Sequence, residues 1–218
     1  MKLQNLFVVL YKPRQIITTN LKSNELFFPI LIIGVISSIL YTVFASQSID
    51  QTMLGINFKS VSPLLIIFSL LIGFLSPFIS IIINSIINYI TILITGIYIE
   101  FKSLMVIGIF SYVPVLIELL LKVIFSFFSG KYFTNFFNPL AGLFNNQHQI
   151  LQILSSSISI TGLWSLLIYI LGVIILLKSN DGKVNKLTIT LVVIVNLALT
   201  VMVAALTTIT GDLKSVLN

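Results

Sequence analysis

Glu118 and Lys122 are the residues whose types and spacing come closest to a chemical function. They lie four positions apart inside a long apolar stretch, and in a helix this spacing places two side chains on one face. An ionisable group inside a membrane segment is a functional candidate, because hydrocarbon disfavours charge. A structural explanation stands beside it: Lys122 reaches the headgroups at the outer end of the segment, and Glu118 neutralises it. The sequence leaves both explanations open.

A row of hydroxyl and amide side chains lies in the apolar stretch before this pair. Its members recur every three or four positions, which places them on one face of a helix. Such groups either hydrogen-bond to neighbouring helices, at about 0.6 to 2 kcal/mol per contact, or line a hydrophilic passage. We favour contact between helices. We call this row the polar stripe: Ser76, Ser80, Asn84, Asn88, Thr91 and Thr95.

Nothing in the sequence predicts enzyme chemistry. The chain has no cysteine, and His148 is the sole histidine, so neither a thiolate site nor a two-histidine zinc site is expected. We expect His148 to be exposed in a loop. Phosphate-binding glycine loops, HExxH and nucleophile elbows are missing from the sequence. We therefore predict that the protein is not an enzyme and has no catalytic, cofactor-binding or metal-binding residues. The acidic residues are scattered: Glu25, Asp50, Glu100, Glu118, Asp181 and Asp212.

The composition predicts an all-α, polytopic integral membrane protein. Of 218 residues, 57% are hydrophobic and 8% charged, against roughly 25% charged in soluble domains. About 20 apolar helical residues cross a bilayer. Residues 25–218 are predicted to form a five-helix transmembrane domain, and residues 1–24 an amphipathic interfacial segment. The five predicted spans are residues 26–45, 61–97, 103–127, 158–177 and 187–208.

The second predicted span is the ambiguous one, because no charged residue occurs between Lys59 and Glu100. A hairpin turning near Ser76 and Pro77 would leave backbone groups unpaired in lipid. It would also have no reason to keep the register of the polar stripe. We therefore favour one long helix over two short crossings.

Local features refine the spans. Pro114 lacks an N–H and predicts a kink in the third span, with Ser111 or a neighbour satisfying the carbonyl that the proline frees. Gly34 and Ser38, four apart, permit close contact between helices. The residues before the first span read as two short amphipathic pieces, broken at Pro13 and lying on the membrane surface.

The distribution of basic residues predicts the orientation, because cytoplasmic segments are enriched in Lys and Arg. The basic residues form no continuous patch, so nucleic acid is not an expected partner. With the N-terminus inside, eight basic residues are cytoplasmic, three are external and Lys122 lies in a span. We therefore predict a multi-pass cell-membrane protein with a cytoplasmic N-terminus and an external C-terminus. The eight are Lys2, Lys12, Arg14, Lys22, Lys102, Lys178, Lys183 and Lys186.

Three stretches, in order, carry a resemblance to a known family. They are Leu10-Tyr11-Lys12-Pro13-Arg14; Gly96-Ile97-Tyr98-Ile99-Glu100-Phe101-Lys102-Ser103-Leu104 with Gly108 and Phe110-Ser111-Tyr112-Val113-Pro114; and Leu163-Trp164-Ser165 with Gly172 and the link from Lys178 to Lys186. Together they resemble the bacterial branch of the Yip family of Ypt/Rab-interacting membrane proteins. The resemblance implies five membrane helices, a cytoplasmic N-terminus and no catalytic residues. Rab binding is not expected, because only about twenty-four residues precede the first span.

Bacterial relatives in this family include proteins associated with ATP-driven exporters that protect cells against membrane-active peptides. The resemblance therefore implies a non-catalytic subunit that associates with an ABC-type exporter, in immunity to or transport of such a peptide. Expected partners are the lipid bilayer, ABC transporter subunits and further copies of the chain. One alternative is a secondary transporter or channel-like protein that uses Glu118 and the polar stripe. Another is a membrane-organising protein that inserts its amphipathic ends.

Overall fold

The computed structural model describes residues 4–21, 26–52, 63–129, 159–181 and 185–217, with backbone alone at residues 47–52, 65, 181 and 203–217. Every regular element in these residues is a helix, which confirms the all-α prediction. The helices are α1 (Gln4–Val8), α2 (Pro13–Asn20), α3 (Phe27–Thr52), α4 (Pro63–Ile94), α5 (Phe101–Ser129), α6 (Ile160–Asp181) and α7 (Lys186–Leu217).

Four of these helices are long and apolar enough to cross a membrane, which supports the membrane class. The spanning stretches are Phe27–Ser46, Ile66–Ile94, Phe101–Ser129 and Ile160–Asn180. In α7 the apolar stretch with described side chains is Lys186–Met202, which is shorter. The described residues therefore give four candidate spans, and a fifth stays a prediction.

Helix α4 is continuous from Pro63 to Ile94 and contains Pro77 within it. The hairpin alternative is therefore not formed. The helix ends before the predicted boundary of residue 97, because Thr95 and Gly96 form a turn. Gly96 has a φ of +79°, a left-handed conformation that glycine adopts without a steric penalty.

Helices α3 to α7 alternate in direction, as pairs of contacts show. Ser38 of α3 donates a hydrogen bond to the Leu70 carbonyl of α4 at 2.8 Å. Thr188, near the start of α7, bonds Thr95 just after α4, at 2.9 Å. The Asn180 amide of α6 donates to the Tyr98 carbonyl between α4 and α5 at 2.6 Å. The starts of α3, α5 and α7 and the ends of α4 and α6 therefore share one end of the bundle, which we call the basal end.

The backbones of α3 and α4 approach closely at Gly73. A Cβ atom at this position would lie 2.9 Å from the Cα of Ser38 and 2.8 Å from the Cβ of Tyr41. Only glycine fits here without moving α3. Small residues permit this kind of helix contact in membranes, where van der Waals packing drives association.

The N-terminal residues form two short helices, the second of which begins at Pro13. The side chains of Leu6, Val9 and Ile17 are buried, because α1 and α2 pack against α5 and α2 also packs against α6. Protein therefore covers the apolar face of these two helices. The location of this segment at the membrane surface stays a prediction.

Candidate functional site

Glu118 and Lys122 form an ion pair on α5. The Nζ atom of Lys122 lies 2.6 Å from Oε1 of Glu118, and the two side chains are 19% and 12% exposed, respectively. The hydroxyl of Thr161 on α6 donates a hydrogen bond to Oε2 of Glu118. Each carboxylate oxygen therefore has a partner, and the pair joins α5 to α6.

The start of α6 is built around this carboxylate. Ser159 caps the helix, accepting a hydrogen bond from the Gly162 N–H at 2.9 Å, which satisfies one of the free amides of the first turn. The Ser159 and Thr161 hydroxyls lie 3.3 Å apart. A negative charge at a helix N-terminus is favoured by the helix dipole. The Glu118 carboxylate therefore lies between Lys122 of its own helix and the first turn of α6, where Thr161 contacts it.

The pair lies toward the end of α5 opposite the basal end. Glu118 is seventeen residues after Phe101, the first residue of α5, which corresponds to roughly 26 Å of helix. The hydrocarbon layer is about 30 Å thick, so an α5 that enters at Phe101 brings Lys122 to the far headgroups. This geometry favours the structural explanation of the pair. A role for Glu118 in moving protons or ions stays a prediction.

The basal half of the polar stripe is buried and contacts α7. Asn88 is fully buried, and its Oδ1 accepts a hydrogen bond from the Asn196 amide of α7 at 2.8 Å. The Asn88 amide donates to Oδ1 of Asn84 at 2.6 Å. Thr91 is also buried and bonds the Ile87 carbonyl within its own helix. This half of the stripe contacts α7 through Asn88 and, just after α4, through Thr95.

The other half of the stripe lines an open groove of about 760 Å³ between α4, α5 and α7. Ser76 and Ser80 are exposed and Asn84 is half-buried. Asn196 and Thr200 of α7 complete the polar part of the lining, and the remainder is apolar. The stripe is therefore divided: one half is covered by α7, and the other offers hydroxyl and amide groups to the groove. We call this the stripe groove.

Asn196 and Tyr169 were not predicted from the sequence. Asn196 is the one amide between Asn185 and Asn218, and Thr188, Asn196 and Thr200 follow a spacing of four or eight that indicates one helix face. That signal would have identified Asn196. Tyr169 of α6 is 1% exposed and directs its hydroxyl at Asn88 without reaching hydrogen-bond geometry. Its position follows from packing alone.

Ser111 does not satisfy the carbonyl that Pro114 frees. A proline within a helix removes the bond to the carbonyl four residues earlier, which here belongs to Phe110. The Ser111 hydroxyl donates to the Gly108 carbonyl instead, at 2.9 Å. Both Ser111 and Pro114 are buried, and α5 continues through them to Ser129. The Ser111 alternative is therefore not formed, because its hydroxyl reaches three residues back, and satisfaction of this carbonyl by a neighbour stays a prediction.

The described residues form no metal site beside this one. His148 lies outside the described residues. Within the described residues, no group of three or more histidine, cysteine, aspartate or glutamate side chains is placed to hold a metal ion. The candidate site therefore consists of the Glu118 pair with the start of α6, and the polar stripe with Asn196.

Comparison with known proteins adds no assignment: no protein-family model, curated protein or solved structure matches this chain.

The Asn88 and Asn196 contact predicts a measurable coupling. Replacing either residue with leucine should destabilise the protein, and the double variant should cost less than the sum of the two. We expect a coupling energy of about 0.6 to 1.7 kcal/mol, the range for hydrogen bonds between membrane helices. Unfolding in mixed detergent with all four proteins of the cycle measures it. Strict additivity would show that the two amides do not interact.

Proposed function

We propose that this chain is a non-catalytic, five-span membrane subunit of the Yip type that binds a transmembrane helix of a partner protein in the stripe groove. The partner we propose is an ABC-type exporter acting in immunity to, or transport of, a membrane-active peptide. The observation that carries the proposal is the division of the polar stripe, in which Ser76, Ser80 and Asn84 line an open groove.

Polar groups on a surface that faces hydrocarbon favour the binding of a partner helix. Membrane helices associate through hydroxyl and amide groups. The Ser76 hydroxyl already contacts Tyr112 and Oδ1 of Asn84 already accepts from Asn88, so a partner helix would use the hydrogen-bonding capacity that these groups keep. Ser76 and Ser80 are small and one turn apart, which lets a second helix approach closely. Asn84, one turn further, then offers an amide to the incoming helix. A helix of another protein is the occupant that this mixture of apolar and polar lining residues favours.

The exporter is proposed from the sequence resemblance and from energetics. A chain with no phosphate-binding glycine loop in its sequence would take the energy of ATP hydrolysis from its partner. The orientation belongs to the same proposal. Lys102, Lys178 and Lys186 lie at helix ends of the basal end and Lys122 toward the other, so the positive-inside rule makes the basal end cytoplasmic. Helix α7, as the fifth span, then carries the C-terminus outward.

Affinity purification from the native membrane tests the proposal. The chain carries an affinity tag, and the co-purifying proteins are identified by mass spectrometry. We expect an ABC-type permease or ATPase with the wild-type protein, and at least tenfold less of it when Ser80→Leu and Asn84→Leu are combined. The two leucines fill the groove and remove its hydrogen-bonding groups.

A matched control changes the same helix away from the groove. Ile82 and Ile86 are exposed and do not line the groove, so Ile82→Phe with Ile86→Phe should leave co-purification unchanged. Recovery of equal partner with the groove variant, or of the tagged chain with nothing but a second copy of itself, would contradict the exporter proposal.

The two alternatives have weaker geometric support. A transporter that uses Glu118 needs an accessible carboxylate, whereas this one is paired with Lys122 and Thr161. Flux through reconstituted vesicles that disappears with Glu118→Gln would favour that alternative. Membrane organisation by inserted N-terminal helices needs a free apolar face, whereas Leu6, Val9 and Ile17 are buried in protein.

A further inference from the structure

The N-terminal helix pair has one face against the bundle and one face turned outward. Leu6 and Ile17 hold the inner face in place, and Asn5 bonds Asn20 to join the two helices, at 3.4 Å. On the outer face Phe7 is 51% exposed and Tyr11 is 68% exposed. Packing therefore decides which side chains of this segment a partner can reach. The accessible side chains include the aromatic rings of Phe7 and Tyr11.

Two cations lie beside these rings. Lys12 and Arg14 are exposed and flank Pro13, and both line a concave site of about 550 Å³ together with Tyr11, Gln15, Thr18 and Thr19. The Lys12 Nζ atom lies 5.9 Å from the centre of the Tyr11 ring. No acidic residue is among those that line this site. Its charge is complementary to an anionic group.

The threonines of this site already use their hydroxyl hydrogens. Thr18 donates to the Arg14 carbonyl at 2.7 Å, and Thr19 donates to the Ile16 carbonyl at 2.9 Å. The hydrogen-bond donors that remain for a ligand are mainly those of Lys12 and Arg14. A guanidinium and an ammonium group together suit a phosphate oxyanion, since arginine binds it with two parallel hydrogen bonds.

The position of the site indicates which class of anion it binds. Helix α3, the first candidate span, begins at Phe27, and Phe27 and Phe28 are 73% and 57% exposed. Exposed aromatic rings beside basic residues at the start of a span are typical of the boundary between hydrocarbon and headgroups. A span that begins at Phe27 would place α2, the helix that precedes it in the chain, near the phosphates of the leaflet.

We propose that the surface formed by Phe7, Tyr11, Lys12 and Arg14 binds the headgroup of an anionic phospholipid. The two cations contact the phosphodiester and the aromatic rings lie at the headgroup boundary. This function goes beyond partner docking in the stripe groove and does not depend on it. It anchors the N-terminal helices to the leaflet through their outer face, while their apolar face stays packed on α5 and α6.

A labelled full-length protein tests the proposal. The chain has no cysteine, so Thr18→Cys gives one attachment point for an environment-sensitive dye at the edge of the site. Short-chain phosphatidylglycerol is titrated into the protein in neutral detergent, with short-chain phosphatidylcholine as the comparison. We expect a saturable signal with phosphatidylglycerol alone. Lys12→Gln with Arg14→Gln should weaken binding roughly 30-fold, the loss expected for two cations near an anionic surface.

Two control variants distinguish binding at a specific site from general electrostatic attraction. Lys178→Gln with Lys186→Gln removes the same charge from exposed positions outside the concave site, and should change the affinity less than twofold. Lys12→Arg with Arg14→Lys keeps the charge and should keep binding within about fivefold. Circular dichroism checks that each variant is folded.

Three results would overturn the proposal. One is an equal loss of affinity in the two glutamine pairs, which indicates general electrostatic attraction. Another is saturation by soluble glycerol phosphate at the concentrations at which the lipid saturates, which indicates a phosphate site unrelated to the bilayer. The third is no response of the folded protein to phosphatidylglycerol. None of these outcomes bears on the exporter partner, which the stripe groove variants test separately.

Discussion

Replacing Glu118 with leucine while Lys122 remains is expected to lower the free energy of unfolding by about 3 kcal/mol. The variant leaves an ammonium group that is 19% exposed without its counter-ion. Breaking a buried ion pair from one side costs about 3 to 5 kcal/mol, and the position near the end of α5 favours the lower part of that range. Reversible unfolding in mixed detergent measures the change.

The matched control removes both charges. Glu118→Leu combined with Lys122→Met should recover most of the lost stability, because an apolar pair of similar volume replaces a buried ion pair at little cost. Thr161→Val, which removes the donor to Oε2 of Glu118, should cost about 1 to 3 kcal/mol. A double variant that is no more stable than Glu118→Leu alone would show that the contact with α6, and not the charge balance, dominates the effect.

Gly73→Val should also destabilise the protein by about 3 kcal/mol, because its first added atom meets backbone. The new Cβ would lie 2.9 Å from the Ser38 Cα and 2.8 Å from the Tyr41 Cβ, and no side-chain rotation relieves a contact with Cα. Overpacking typically costs about 1 to 3 kcal/mol. Moving α3 away also lengthens the hydrogen bond from Ser38 to the Leu70 carbonyl, which adds about 1 kcal/mol.

The control for this prediction adds bulk to the same helix on its outer side. Leu71 is 51% exposed, so Leu71→Phe extends away from α3 and should change the stability by less than about 0.5 kcal/mol. Thermal unfolding in one detergent compares both variants with the wild type. If Gly73→Val is as stable as Leu71→Phe, α3 and α4 are not in close contact at this point.

The helices and their faces could be read from the sequence for simple reasons. Uncharged runs of twenty or more residues predict helices, because backbone groups in hydrocarbon must pair within the segment. Periodicity showed that Asn84 and Asn88 share a face, and the i, i+4 spacing showed that Glu118 can meet Lys122. These are properties of one helix considered alone, so no neighbour is needed to derive them.

Contacts between residues on different helices could not be predicted in this way. Thr161 is forty-three residues from Glu118 and Asn196 is 108 from Asn88, and neither pairing follows from a spacing along the chain. The burial of the N-terminal apolar face was also missed, since an amphipathic helix has the same sequence pattern whether lipid or protein covers it. The acceptor of Ser111 could not be predicted either, because a hydroxyl in a helix has more than one carbonyl within reach.

The sequence by itself determined the helical class, the apolar lengths and the faces on which polar residues lie, because these depend on composition and on the 3.6-residue period. The tertiary structure alone decided which half of the polar stripe α7 covers, which half lines the groove, and which carboxylate oxygen each partner of Glu118 contacts. The physical reason is that helix packing is set by the shapes of two surfaces together. At Gly73, the absence of a side chain matters for packing only because Ser38 of α3 lies against this position.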